Sequence, residues 1–226
     1  MAERDLTTTS YAVLGLLALR SWTTYELAEQ MKRALGLFWP RAVSGLYEEP
    51  KKLVAAGLAR ASADDVGRRP RTRYSITPKG RRALAAWVPT AGAGPVVEFE
   101  QLVKVFFAEH GSRADLLSTI EGVRASLEEQ AVSNAQVPHE YLERRGGYPE
   151  RLPWLILTGR FLDEIEQAVD RWAGWAAGVV AAWPEDITEA EPDWDTLEEM
   201  ARHADEFAER VAARRAEARP SESGPR

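Results

Sequence analysis

Four arginines, Arg68, Arg69, Arg71 and Arg73, fall within six residues, and Lys79, Arg81 and Arg82 follow closely. Guanidiniums packed this densely repel one another unless an anion lies near. Phosphate, or a narrow DNA minor groove, supplies one. Earlier in the chain, Arg41, Ser44, Glu48 and Lys51 recur at spacings of three or four, which puts them on one helix face. The major groove admits such a helix, with polar side chains reaching base edges. Val43, Leu46, Pro50 and Leu53 recur on the opposite face and are expected to pack inward. Two features oppose this chemistry. Glu48 and Glu49 bring negative charge on or beside the reading face, although a glutamate can accept a hydrogen bond from a cytosine amine. Pro50, placed inside the helix, is expected to remove a backbone bond and bend it.

Other chemistries find no support. The three histidines, His110, His139 and His203, are far apart, and there is no cysteine. No phosphate-cradling glycine loop, nucleophile elbow or metal-ligand spacing occurs, so neither catalysis, a metal nor a cofactor is expected. The net charge is −6, but its distribution matters more. Residues 1–88 hold 15 Lys and Arg against 8 Asp and Glu, while residues 89–226 hold 14 against 27. A basic half therefore precedes an acidic one, and only the first suits a polyanion. The N-terminal apolar run is too short and interrupted to span a membrane, and a cytoplasmic protein is expected.

The elements that would position these residues follow from pattern. One helix starts after Thr9 or Ser10. Thr23 and Glu26 form a capping-box pattern that opens a second, which Gly36 ends. A third runs over 41–56, with Gly57 just beyond its end. Two short β-compatible segments flank the polar 64–71 loop as a two-stranded wing. Thr77-Pro78 opens a further helix to Trp87. The fold class expected is mainly α: an N-terminal winged helix-turn-helix (1–88), a breaker-rich linker (89–97), an all-helical dimerisation domain (98–216) and a disordered tail (217–226).

The second half reads as helix throughout, with a loop over 134–153. The face carrying Phe99, Leu102, Val103 and Phe106 is expected inward. Residues 154–183 carry a seven-residue repeat, with Leu155, Leu162, Val169, Ala176 and Trp183 at one position and Thr158, Ile165, Trp172 and Val179 three residues later. Such a seam is satisfied by a second copy of the chain or by the chain's own helices. The first predicts a homodimer whose interface includes Leu155, Leu162, Ile165, Val169, Trp172 and Val179. Two reading helices would then lie about one DNA turn apart, on an inverted-repeat operator. Trp154 and Trp175 lie off the strict seam and are free to line a cavity for a small aromatic effector. Core packing is the plainer role for such aromatics.

The segments LYEEPKKLVAAGLA (46–59) and GRRPRTRYSITPKGRRAL (67–84) resemble the PadR family of bacterial transcriptional regulators, without gaps. Lys52 stands where Arg is common, and Pro50 where Leu is usual. The YAVLGLLAL opening and Tyr25-Glu26-Leu27 also match. The resemblance is specific over residues 10–85 and continues, more weakly, as the longer subclass with a helical C-terminal domain. It implies a homodimeric repressor with Ser44, Tyr47 and Lys51 facing DNA on the third helix. Arg68, Arg69, Arg71 and Arg73 become wing contacts. Family members often autoregulate and control a neighbouring detoxification or efflux gene, and some respond to phenolic acids or drugs. Two other readings stand beside this one: a winged-helix protein-interaction module that does not bind DNA, and a regulator of the MarR type.

Overall fold

The computed structural model describes residues 6–36, 38–39, 47–64 and 71–217. Of the predicted DNA-facing residues, Arg41, Ser44, Arg68 and Arg69 lie outside these, as do Val43 and Leu46. By internal contact the chain divides into two compact units. One comprises residues 1–97 with 151–164, the other residues 98–150 with 165–226.

In the first unit, helix α1 spans Thr8–Leu19. It starts earlier than expected because Thr7 caps it and Ser10 bonds back in a capping box. Strand β1, Trp22–Thr23, leads into α2, Thr24–Leu35, where the predicted Thr23–Glu26 capping box forms. Helix α3 is described over Glu49–Ala55, followed by strands β2, Ala59–Asp64, and β3, Arg71–Ile76, and by α4, Pro78–Trp87. The sheet is antiparallel in the order β1-β3-β2, so the expected hairpin gains a third strand. Two residues, Trp22 and Thr23, were too short a run to announce themselves. They pair with Tyr74 and Arg73. Val13, Leu14, Leu17, Leu27, Met31, Leu53 and Leu58 form the core beneath. Each fully buried Leu of this kind contributes about 1.5–3 kcal/mol. Tyr11 stacks flat on Trp87, with ring centroids 4.7 Å apart, and ties α1 to α4.

The second unit contains α5, Glu100–Phe106, and α6, Arg113–Leu142, capped by Ser112 and Asp115 as expected. Helix α7, Leu152–Ala181, belongs to the first unit up to Glu164 and to the second from Ile165, and α8 spans Trp194–Glu217. Helix α6 runs well past Asn134, through Pro138, so the expected 134–153 loop shrinks to residues 143–151. Pro138 costs one backbone bond but does not stop the helix. The helix ends instead just before Arg144, which takes φ +60°, and at Gly146 any Cβ would strike the Tyr141 ring. The inward face of α5 also differs from expectation. Phe99, Val105 and Ala108 pack inward, while Leu102, Val103 and Phe106 are exposed.

The predicted seam on α7 needs a correction in its later half. Val169, Trp172, Ala176 and Trp183 pack against Leu116, Ile120 and Val123 of α6 in the same chain, and Phe99 meets Trp172 edge-on. The heptad signal cannot tell a partner's helix from the chain's own, and here α6 supplies the cover. Among the described residues no helix is long and apolar enough to cross a membrane.

Candidate nucleic-acid interface

Helix α3 is the element that must present side chains to a groove. Its start is not bent. Pro50 occupies the first turn, where the missing N–H has no intrahelical partner to lose. Within the described helix Pro50 therefore breaks no backbone bond, and residues 41–46, on the other side of the expected bend, lie outside the described residues. Glu49 is also not on the outer face. It is 6% exposed, its carboxylate accepts a hydrogen bond from Ser10 Oγ at 2.7 Å, and Lys52 Nζ approaches it at 2.7 Å. What remains outward is Tyr47, 63% exposed, and the Glu48–Lys51 pair, with Nζ 2.8 Å from Oε1. The Glu48 hydrogen bond raises the Lys51 pKa, so this lysine stays charged.

The end of α3 is fixed with equal care. Gly57 takes φ +71°, a left-handed conformation that side chains disfavour. Its N–H bonds Val54 O and the Leu58 N–H bonds Leu53 O, both at 2.9 Å, closing a Schellman motif over buried Leu53 and Leu58. Thr77 Oγ1 donates to the Gly57 and Leu58 carbonyls, and Lys79 Nζ donates to Ala56 O. Gly80 packs directly over the Leu58 carbonyl, where a Cβ would sit 2.1 Å from the oxygen. These bonds tie α3, the foot of the wing and α4 into one block.

On β3 the two described wing arginines differ. Arg71 is exposed, paired in register with Asp64. Arg73 turns back: Nη1 donates to Ser21 O at 3.1 Å and lies 3.4 Å from Glu26 Oε2. Its side chain is 34% exposed. The Thr23 backbone N–H, more than Arg73, holds the Glu26 carboxyl below its ordinary value. Arg73 therefore braces the wing against β1 and α2. Arg60, Lys79, Arg81 and Arg82 add exposed positive charge around the same block. Arg60 escaped sequence reading because it stands alone between alanines.

In α7, Trp154 and Trp175 are both exposed, 21 residues apart on one helix. Of the seam residues, Leu155, Leu162 and Val179 are half-buried and Ile165 is exposed. Among the described residues no cluster of His, Asp and Glu could hold a metal.

The family model of the transcriptional regulator PadR-like family matches residues 13–86, which covers the later part of α1, then α2, α3, the sheet and nearly all of α4. Over these residues the chain is similar to the PadR-like family. The "Negative transcriptional regulator PadR" of Bacillus subtilis is 27% identical over 170 residues, spanning 64% of this chain and 92% of that one. Among solved structures, Bacillus subtilis PadR in complex with operator DNA matches with a TM-score of 0.58 at 21% identity, covering 77% of this chain and 98% of that one. The same protein in complex with p-coumaric acid matches at 0.50. The smu.1604c protein from Streptococcus mutans matches at 0.62 with 16% identity, over 75% of this chain and 99% of its own. At these identities the solved structures establish a shared fold that includes most of the helical half.

Proposed function

We propose that this chain is a homodimeric, cytoplasmic transcriptional repressor that binds an inverted-repeat operator and responds to a small aromatic effector. The observation that carries the reading is the PadR-like winged helix with its basic surplus. Lys51 and Tyr47 stand outward on a firmly anchored α3. Base reading falls to α3 and the residues before it: Arg41, Ser44, Tyr47 and Lys51. Phosphate contacts fall to the wing arginines Arg68, Arg69 and Arg71, with Arg73 as their brace. A relative crystallised on operator DNA shares the fold, which supports the assignment of target.

The dimer rests on apolar surface that the chain leaves in solvent. Ile165 on α7 is exposed, and α8 buries none of its residues although Trp194, Leu197, Met200 and Phe207 line it. Leu155, Leu162 and Val179 are half-buried and complete the proposed interface, whereas Val169 and Trp172 are already occupied within the chain. Trp154 and Trp175 offer exposed indoles on which an aromatic effector can stack. The likeness to PadR bound to p-coumaric acid supports that ligand class.

The deciding experiment is in vitro selection of duplex DNA with the whole chain, followed by sedimentation of the free and bound protein. Enrichment of a sequence with two half-sites about 10 base pairs apart, bound by two chains, is expected. Enrichment of no sequence would favour a winged helix used for protein contacts. Adding p-coumaric acid should quench tryptophan emission and release the duplex. Quenching without release would remove the effector role.

A further inference from the structure

Glu49 is a carboxylate buried in the first turn of α3. Burying a charge is unfavourable unless hydrogen bonds replace its water. Here they do: Ser10 Oγ donates to Oε2 at 2.7 Å and Lys52 Nζ meets Oε1 at 2.7 Å. Ser10 is itself only 2% exposed. The same hydroxyl accepts from Thr7 N at 3.1 Å and lies 3.2 Å from Thr7 Oγ1, inside the capping box of α1. One residue earlier, Thr9 Oγ1 accepts from Trp39 Nε1 at 3.3 Å. The first turn of α1 thus grips the chain at Trp39 and again at Glu49. Among the described residues no buried side-chain polar atom lacks a partner, so the network is complete.

Apolar packing holds two helices together but tolerates rolling of one against the other. A hydrogen bond is directional and does not. Glu49 and Lys51 are two residues apart, about 200° around the helix, so they point in nearly opposite directions. That matches the burial of one and the exposure of the other. Side-chain tips lie about 5–6 Å from a helix axis, so a roll of about 10° would move Lys51 by about 1 Å. A shift of that size is enough to spoil a contact to a base edge, whose geometry is tight.

We propose that Glu49 is a positioning residue for DNA recognition. Its bond to Ser10 sets the roll of α3 and so the aim of Tyr47 and Lys51. This rests on the DNA-binding reading, and the test separates the two. The wild type is first taken through selection from a random duplex library. If nothing is enriched, the DNA reading itself fails and this proposal goes with it. If a sequence is enriched, Ser10→Ala, Glu49→Ala, Glu49→Gln and the Ser10→Ala/Glu49→Ala pair are titrated against it and against an unrelated duplex. Titrations run at 10 °C, where circular dichroism first establishes that each variant is folded.

Ser10→Ala and Glu49→Ala should each weaken the selected site by about tenfold and leave the unrelated duplex within about twofold. The double variant should be no worse than either single one, because both remove one bond. Glu49→Gln should recover most of the loss, since its amide oxygen still accepts from Ser10. Should Glu49→Ala not fold, Ser10→Ala and Glu49→Gln carry the comparison. Variants that melt earlier yet bind the selected site as tightly as wild type would overturn the proposal. An equal loss on both duplexes would overturn it as well.

Discussion

The two described wing arginines allow a direct trial of how the wing is used. Arg71 is exposed at the start of β3, whereas Arg73, two residues on, bonds the Ser21 carbonyl and the Glu26 carboxylate. Each is replaced by alanine. If Arg71 meets one phosphate, its loss lowers the slope of log K against log salt by about 0.9, and by about 1.8 for a dimer with two wings. Between 50 and 200 mM salt, a fourfold change, the wild type then loses about twelvefold more affinity than Arg71→Ala. Stability should not move. Arg73→Ala should leave the slope unchanged and remove a partly exposed brace worth about 1 kcal/mol. For a unit of roughly this size that is about 4–8 °C in Tm. Fluorescence anisotropy over a salt series and thermal melts followed by circular dichroism give both numbers. A lowered slope in Arg73→Ala with none in Arg71→Ala would refute the assignment of brace and contact.

Other outcomes follow from the same block. Glu48→Gln frees Lys51 from its exposed pair and removes a carboxylate from the outer face. Affinity for unrelated duplex should rise by about threefold, read by anisotropy at fixed salt. Gly80→Ala forces a Cβ to within 2.1 Å of the Leu58 carbonyl, so backbone must move. It should cost about 3 kcal/mol of stability, visible in a urea melt, with operator binding lost in proportion to unfolding. Glu26 has a folded pKa below its ordinary 4.5, chiefly through the Thr23 N–H, so its stabilisation is full above that value and fades as pH falls through the folded pKa. Glu26→Gln should flatten stability against pH below about 4.5, and an unchanged acid limb would count against the assignment.

Local signals were legible where one residue type does one job. Thr23 with Glu26, Ser112 with Asp115, Thr77 with Pro78, and Gly57 all mark helix ends in the sequence, and each cap forms. The identity of the wing was equally legible, because turn residues and arginines are concentrated there. Long-range choices were not. Pattern showed Glu49 only as a charge beside a reading face, since its partner Ser10 is 39 residues away. Arg73 looked like its neighbours because Ser21 and Glu26 approach only through β1, a strand of two residues. The seam on α7 was real as a pattern, but a period of seven does not say which helix fills it. Pro50 has the pattern of an interior proline because nothing in the sequence marks Glu49 as the first residue of the described helix.

Helix α8 keeps every side chain at least partly in solvent through 24 residues, apolar ones included. In proteins most helical stability comes from packing an amphipathic face rather than from propensity. If a second copy of the chain supplies that packing, as proposed, the order of the helix becomes a function of how many copies are present. For a proposed repressor this turns abundance into a threshold. In a dilute cell the chain would neither pair nor span two half-sites, and occupancy would climb more steeply than its own concentration. A gene under such control would respond to modest changes in repressor supply as though to a switch.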